Sequence, residues 1–419
     1  MFYEKSTLSN GLTILTERRE SVRSIALGIW YRVGSRDETP ETLGLTHFME
    51  HMMFKGTEKR SVLDISQSFD AMGAELNAFT SKEYTCYFAR FIDEKLEKAF
   101  EILSDMVTSS VFASDAIHSE REVVIEEIAR TEDTPDDFIG DLFSDAFFPT
   151  VQLGRPIAGT RERVGSYEHE DCVNFFNRHY HTGNASVIAS GNIDHSQLVS
   201  LCEQFLSGMP CGEVNERGLV DEQHRKYLSS LTRPTEQAHL MIGTPGTPLG
   251  HDDRFASTLM RAILGGPMSS RLFQEVREKR GLAYAVYAMT AAYMNAAAFA
   301  VYVGTRPENL GEVLDIIRTE FTKMAEGGVT AEELERSQEY IIGNRVLQDE
   351  STSSRMVELG VVQVNGLEIL SSDEIIERLR SVTRDDIKRV AEQTLTATPT
   401  IAVISPLGQP EVDELVQTK

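Results

Sequence analysis

The chain has 419 residues, of which 41% are hydrophobic and 25% are charged, a composition typical of a globular protein large enough for two or more domains. Its formal net charge of −24 argues against a basic surface for nucleic-acid phosphates, so we expect no nucleic-acid partner. The four cysteines are scattered without a C-x-x-C pair, which argues against both a disulfide framework and a thiolate zinc site.

The chain also lacks the sequence signals of secretion and of membrane insertion. The N-terminal stretch MFYEKSTLSNGLTILTE has no apolar signal core. The longest weakly polar stretch, Ala288 to Gly304, is short and interrupted, and it is more typical of two strands than of a transmembrane helix. We therefore expect a cytoplasmic protein without a membrane partner.

Strand-like and helix-like segments are mixed along the chain without strict alternation. SIALGIWYRV (24–33) and YTCYFARF (84–91) are typical of strands, whereas DEKLEKAFEILSDMV (93–107) has the apolar spacing of an amphipathic helix. This order favours an α+β fold with largely antiparallel sheets covered by helices. A doubly wound parallel sheet is the alternative.

The stretch GLTHFMEHMMFKGT, Gly44 to Thr57, contains an H-x-x-E-H motif. Its central part has strong helix formers and neither Pro nor Gly, which predicts a helix with His47 and His51 one turn apart on the same face. Two imidazoles in this arrangement can chelate one metal ion, and Glu50 projects near them without having to be a ligand. The apolar flanks indicate that the helix is buried, where polar groups need partners.

A third ligand is expected in the downstream segment SEREVVIEEIARTEDTPDD. Read as a helix, this segment places four residues on one stripe that valines would bury: Glu120, Val123, Val124 and Glu127. A carboxylate on a buried face is costly unless it is paired or bound to metal, whereas Glu122 and Glu126 point to solvent. We therefore predict Glu127 as the third metal ligand and Glu120 as the carboxylate that orients a histidine.

Two histidines and one glutamate with an open fourth position form a catalytic rather than a structural zinc arrangement. Zinc in such a site acidifies a water molecule, and Glu50 would take its proton and pass it to a leaving amine. The expected chemistry is amide hydrolysis.

The chain contains an internal duplication with an offset close to 214 residues. Four pairs of segments match in the same order: RSIALGIWYRVGS with EQAHLMIGTPGT, DEKLEKAFEILSDMV with PENLGEVLDIIRTEF, ASDAIHSEREVVIEE with TAEELERSQEYIIGN, and SVIASGNI with TIAVISPL. We predict an N-terminal domain over residues 1–208, a linker rich in Gly, Pro and charge over 209–222, and a homologous C-terminal domain over 223–419.

HFMEH followed by MMFKGT, with EREVVIEEI further on, resembles the pitrilysin family of inverted-motif zinc metallopeptidases over essentially the whole chain. The resemblance is closest to the β subunit of mitochondrial processing peptidase and its bacterial relatives. It implies that His47, His51 and Glu127 are zinc ligands, that Glu50 is the general base and that Glu120 is a supporting acid.

Two further motifs match the family. GAELNAFTSKEYTCYF resembles its edge strand beside the zinc, where Asn77 and Ala78 would bind a substrate peptide that adds as another strand. SSRLFQEVREKRGLAYAVYA resembles its Arg/Tyr element, in which Arg277 and Tyr284 are implied to bind the substrate carbonyl and to stabilise the oxyanion. Read without the family, Arg277 fits a surface helix equally well.

The second copy has no histidines at the positions equivalent to 47 and 51, and Asn344 stands opposite Glu127. It is therefore predicted to be a copy without metal, which gives one zinc ion per chain. The resemblance also implies that two chains pair around a chamber, with Arg277 and Tyr284 of one chain serving the zinc of the other. Because this chain carries both elements, a homodimer is sufficient.

The leading hypothesis is a zinc-dependent endopeptidase that hydrolyses extended peptides or oligopeptides inside this chamber, with basic peptides favoured by the acidic charge. The glycine loop LGGPMSSR (264–271) is short compared with that of the mitochondrial non-catalytic subunit, which favours general oligopeptide cleavage over presequence processing. A non-catalytic assembly or core subunit of the same fold is the main alternative. A metal-dependent hydrolase of small molecules is the second alternative.

Overall fold

The computed structural model describes residues 2–149, 151–214, 216–218, 220 and 225–417. Part of the predicted linker, residues 215, 219, 221 and 222, lies outside the described residues. The strands of the described part are β1 (Glu4–Thr7), β2 (Thr13–Arg18), β3 (Ser24–Tyr31), β4 (Glu75–Thr80), β5 (Thr85–Ile92), β6 (Ala185–Gly191), β7 (Leu228–Thr232), β8 (Ala238–Pro245), β9 (Ala283–Ala292), β10 (Ala297–Thr305) and β11 (Thr400–Ser405).

The α-helices of the described part are α1 (Leu45–Met52), α2 (Val62–Met72), α3 (Leu96–Ser109), α4 (Ser114–Asp133), α5 (Pro135–Phe147), α6 (Arg161–Val164), α7 (His169–His179), α8 (His195–Leu206), α9 (Arg254–Gly265), α10 (Leu310–Gly327), α11 (Ala331–Asp349), α12 (Thr352–Val364), α13 (Ser372–Ser381), α14 (Arg384–Leu395) and α15 (Gln409–Gln417). A π-helix spans Phe273–Glu278. No helix in these described ranges is both long enough and apolar enough to cross a membrane.

The two sheets have the same plan. One has the order β1-β2-β6-β3-β5-β4 and the other the order β7-β11-β8-β10-β9. In each sheet one pair is parallel (β2 with β6, β7 with β11) and the other pairs are antiparallel. The central strands β3 and β8 start at residues 24 and 238, an offset of 214. The α+β fold with two homologous, largely antiparallel sheets is thus confirmed, and the doubly wound alternative is wrong.

Each sheet belongs to one compact unit, and neither unit is continuous in sequence. The N-unit comprises Met1–Ala129, Arg155–Gly218 and Leu347–Ser371, and the C-unit comprises Arg130–Gly154, Leu219–Val346 and Ser372–Lys419. The units therefore differ from the contiguous ranges 1–208 and 223–419. The segment with α5 belongs to the C-unit, and the segment with α12 belongs to the N-unit.

The N-unit sheet is covered on both faces. Side chains along a strand alternate between the faces, so Ile25 and Leu27 of β3 join the large core cluster that includes α1 and α3. Ala26 and Trp30 point the other way and pack with Met356 of α12. Burial on both faces is why β3 reads as a continuous apolar run rather than as an alternating one.

The C-unit repeats this arrangement. In β10, Phe299 and Val301 face the cluster that contains α9, α10 and α14. Ala298 and Ala300 face α5, from which Phe143 joins the same cluster. The helices α5 and α12 thus cover corresponding sheet faces, which explains why each lies in the unit built mainly from the other half of the chain.

The contact between α12 and Trp30 can be tested at Gly360. A Cβ atom there would lie 2.1 Å from the indole of Trp30, so Gly360→Ala should force the helix outward and destabilise the protein by about 1–3 kcal/mol. Gly343 of α11 is the matched control because nothing lies within 4 Å of its Cβ position, and Gly343→Ala should stabilise by about 0.5–1 kcal/mol. Chemical denaturation measures both changes, and a Gly360→Ala protein as stable as Gly343→Ala would show that α12 does not pack as described.

Candidate metal centre

The H-x-x-E-H motif lies on α1, as predicted. Its apolar side chains Leu45, Phe48, Met49 and Met52 are buried in the N-unit core. Gly44 precedes the helix with a φ of 91°, and a Cβ there would lie 2.6 Å from the carbonyl oxygen of Ala158. The start of α1 thus requires glycine both for its backbone angle and for the close approach.

Helix α4 brings a carboxylate to the two imidazoles of α1. The ring centroids of His47 and His51 are 4.7 Å apart, with an interplanar angle of 69°. Glu127 Oε2 lies 3.9 Å from His47 Nε2 and 3.5 Å from His51 Nε2. The potential ligand atoms of these three residues all lie within 4.8 Å of one another. Among the described residues, these three form the cluster of side chains that could hold a metal ion.

The predicted stripe on α4 is only partly correct. Glu120 and Val124 are buried, whereas Val123 is 45% exposed and the Glu127 side chain is 47% exposed. The buried line runs through Glu120, Val124 and Ile128 at intervals of four residues, so Val123 and Glu127 lie on its solvent-facing flank. Glu127 therefore reaches the histidines from the rim of the site and not from the core.

Glu120 orients His51. Its Oε1 lies 2.8 Å from His51 Nδ1, and its Oε2 contacts the ammonium group of Lys55. Burial raises the pKa of Glu120, but the hydrogen bonds from His51 and Lys55 outweigh burial and leave the pKa below its ordinary value. An ionised Glu120 holds the proton of His51 on Nδ1, which leaves the Nε2 lone pair directed at the position shared with Glu127.

His47 is kept neutral by its surroundings. Burial, together with the neighbouring charge of His51, lowers the pKa of His47 to about 4. A neutral imidazole has a free lone pair for a metal ion at physiological pH. Burial also lowers the pKa of His51, but the hydrogen bond and charge of Glu120 and the charges of Glu127 and Glu50 raise it overall.

Glu50 is not part of the group formed by the three ligand candidates. Its Oε2 accepts a hydrogen bond from the Thr80 hydroxyl at 2.5 Å. Burial raises the pKa of Glu50, and the Thr80 hydroxyl and His51 partly oppose this rise. Thr80 ends the edge strand β4, so the sheet edge and the carboxylate lie side by side. Thr80 and Lys55 were not predicted, although both lie in the segments AFTSK and MMFKGT that flank predicted site residues.

The donor set fits a zinc ion. Two imidazole nitrogens and one carboxylate oxygen are ligands that zinc prefers, and three protein ligands leave a fourth position for a reacting molecule. The hydrogen bond between His51 and Glu120 is the outer contact that zinc-binding histidines usually make. His47, His51 and Glu127 are thus the residues that would hold the ion.

Of the other predicted residues, three lie on edge strands and Arg277 lies on the π-helix. Asn77 lies on β4, the edge strand of the N-unit sheet, and its Oδ1 accepts the N–H of Ala78 at 2.8 Å. In the C-unit, Arg277 donates to the carbonyl oxygen of Tyr284 at 3.1 Å, and its guanidinium lies 4.4 Å from the centroid of that ring. Tyr284 lies on the edge strand β9 and is 77% exposed. Arg277 and Tyr284 therefore form a pre-assembled pair within their own unit.

The C-unit has no counterpart to the metal ligands at the equivalent positions. At the offset of 214, the residues equivalent to His47 and His51 are Arg261 and Gly265 of α9. A Cβ at Gly265 would lie 2.7 Å from the backbone of β9, so this helix packs too close to its strand for a larger side chain. The prediction that this copy has lost the ligands agrees with its packing.

Two family models match the chain. The model of the insulinases, peptidase family M16, covers residues 13–161, and the model of the peptidase M16 inactive domain covers residues 166–341. An uncharacterised zinc protease of Streptomyces coelicolor is 41% identical over 418 residues, which is 98% of this chain and 91% of the relative. One of Bacillus subtilis is 38% identical over 405 residues, 97% and 98% of the two chains. The chain belongs to peptidase family M16, the pitrilysin family.

Solved structures show the same fold. A protease from Helicobacter pylori has a TM-score of 0.89 at 21% identity, over 96% of this chain and 99% of that one. A Pseudomonas fluorescens protein described as a peptidase M16 inactive domain has a TM-score of 0.91 at 19% identity, over 97% and 98%. The closeness to the β subunit of mitochondrial processing peptidase stays a prediction.

Metal binding can be tested at His51. His51→Ala removes one predicted ligand and the partner of Glu120, so we expect the purified protein to contain no zinc by elemental analysis after dialysis. His118→Ala is the matched control, because His118 is exposed on α4 and lies outside the cluster. Zinc retained by His51→Ala at the level of the control would contradict the assignment.

Proposed function

We propose that this protein is a zinc-dependent endopeptidase that hydrolyses extended peptides or oligopeptides. The observation that carries the proposal is the separation of roles among the carboxylates: Glu127 faces both histidines, whereas Glu50 accepts the Thr80 hydroxyl and is not part of the ligand group. A site that only stored metal would have no need of a carboxylate that neither binds the metal nor orients a histidine. The names of the relatives as zinc proteases support the same conclusion.

Zinc held by His47, His51 and Glu127 would acidify a water molecule and polarise the scissile carbonyl. Glu50 then acts as the base: its Oε2 is engaged by Thr80, and its Oε1 is left to take the proton of the attacking water and to deliver it to the leaving amine. The pKa of Glu50, raised by burial, makes the carboxylate a better proton acceptor than an exposed glutamate. Glu120 supports the reaction by holding His51 in the required tautomer.

The edge strand β4 is the proposed peptide-binding element. It has no neighbour on its outer side within the N-unit sheet and ends at Thr80, next to Glu50. A substrate that adds as a further strand would have its carbonyl replace Asn77 Oδ1 at the N–H of Ala78. Because a peptide must be extended to add as a strand, we propose extended peptides as substrates. The acidic net charge favours basic peptides among them.

The Arg277–Tyr284 pair is proposed to bind the substrate carbonyl of a partner chain in a homodimer that encloses the reaction. The guanidinium is ordered by the ring and the backbone carbonyl of Tyr284, and preorganised donors of this kind stabilise a developing oxyanion. A processing role toward particular proteins is a narrower form of the same proposal.

The role of Glu50 predicts a clean loss of activity. Glu50→Gln should keep its zinc and lose on the order of 10²-fold or more in the cleavage of a quenched fluorescent basic peptide. Glu126→Gln is the matched control, since Glu126 is exposed on α4 and should leave cleavage unchanged. Equal cleavage by Glu50→Gln and wild type would overturn the role of Glu50, and no cleavage by any of the three proteins would favour a non-catalytic assembly subunit.

The role of Arg277 in trans predicts complementation. Arg277→Ala should bind zinc normally and cleave the peptide poorly, whereas Arg280→Ala, which removes a neighbouring arginine paired with Glu275, should cleave like wild type. After the Arg277→Ala and Glu50→Gln proteins are mixed and exchange subunits, part of the activity should return, because one site in each mixed dimer is intact. Absence of recovery in a mixture shown to contain mixed dimers would place Arg277 in its own chain's site or outside any site.

A further inference from the structure

The helix that carries both histidine ligands begins without a capping side chain of its own. Its N-cap residue is Gly44, so the free N–H groups of the first turn need a partner from elsewhere. Glu38 provides it: Oε2 accepts the N–H of Gly44 and Oε1 accepts the N–H of Thr46, both at 2.8 Å. This carboxylate is 2% exposed, so its bonds to α1 are shielded from water.

Glu38 is itself anchored in the N-unit. The preceding residue, Asp37, accepts two hydrogen bonds from Arg217 at 2.9 and 2.7 Å. One residue earlier, Arg36 donates to Glu83 at 2.5 Å. All four of these charged side chains are at most 7% exposed. The carboxylate that caps α1 therefore projects from a fixed base.

The loop between Glu38 and the helix is held on its other side as well. The hydroxyl of Tyr167 donates to the carbonyl oxygen of Leu43 at 2.7 Å. The backbone of Gly44 lies close against Ala158 and Gly159. The N–H of Leu45 donates to the carbonyl oxygen of Thr42, and Glu38 is the side chain that binds the first turn of α1.

We propose that Glu38 is a positioning residue for the metal centre, which fixes the first turn of α1 and thereby the placement of His47 and His51 opposite Glu127. The inference rests on the proposed function, because the ligands positioned are those of the proposed zinc. Thr46, which Glu38 binds, is adjacent to His47, so a displacement of the first turn moves a ligand directly. A helix of eight residues has little stability of its own to resist such a displacement.

The protonation state of Glu38 decides the conditions of the test. Burial raises the pKa of Glu38 to about 8, while the N–H groups of Gly44 and Thr46 and the charge of Lys82 oppose the rise. In the ionised carboxylate, both oxygens are unprotonated and each can accept one of the two N–H groups. Metal binding is therefore measured at a pH above this value.

Glu38→Gln is the direct test. The amide keeps the length of the side chain but has one acceptor, and its NH₂ group faces one of the two N–H donors. The zinc dissociation constant, measured by competition with a chelator, should rise by roughly 10–100-fold, as for other groups that orient metal ligands indirectly. The visible spectrum of the Co²⁺-substituted protein should change as well, because it reports ligand geometry rather than stability.

Glu17→Gln is the matched control. Glu17 is a half-buried carboxylate of the same unit that accepts from Arg355 at 2.9 to 3.2 Å, on the sheet face covered by α12. It should lower the denaturation midpoint yet keep the wild-type zinc affinity and Co²⁺ spectrum. A Glu38→Gln protein that binds both metals like wild type would overturn the inference, and so would an equal loss of affinity in Glu17→Gln.

If Glu38→Gln yields no folded protein, Glu38→Asp replaces it, since the shorter acid keeps the charge but reaches only one N–H. Wild-type metal binding by Glu38→Asp, or an equal loss of affinity in Glu17→Gln, would then overturn the inference. A wild-type protein that binds neither zinc nor Co²⁺ would instead overturn the proposed function, so the two failures are distinguishable.

Discussion

The site depends on three carboxylates that surround two imidazoles and differ in burial and in hydrogen-bond partners. Glu120 is buried but hydrogen-bonded by His51 and Lys55, which keeps it ionised. Glu127 is half exposed and faces both imidazole Nε2 atoms, where a cation would balance its charge. Glu50 is partly buried, and this burial raises its pKa despite the hydrogen bond from the Thr80 hydroxyl. The carboxylates proposed as orienter, ligand and base thus differ in environment and not in chemical type.

The sequence was sufficient for the local part of the site. Helical spacing brings His47 and His51 together whatever the rest of the chain does, so the motif could be placed before any contact was known. Glu127 was chosen on the mistaken premise that its face of α4 is buried, and it reaches the site only because α4 lies beside α1. Its place beside the histidines is predicted by the family resemblance and not by periodicity.

Contacts between segments that are distant in the chain could not be predicted from the sequence. Nothing in the residues around Glu38 indicates that its carboxylate would meet the N–H of Thr46, because that bond exists only once the intervening loop has folded. The same holds for the exchange of α5 and α12. The duplication was visible as repeated segments, and α5 and α12 are the corresponding helices of the two copies. Which sheet the helix covers is decided by packing of residues such as Gly360 against Trp30 and not by proximity in the chain.

The discontinuity of the N-unit has a consequence for synthesis on the ribosome. The H-x-x-E-H motif and all six strands of its sheet are translated before residue 192, but α12 is made only at residues 352–364. Until then Trp30 and its neighbours present an uncovered apolar sheet face, and long-range closure of this kind is slow. The N-unit sheet should thus keep this apolar face exposed until most of the protein has been synthesised, which is the kind of exposure that makes folding intermediates prone to aggregate.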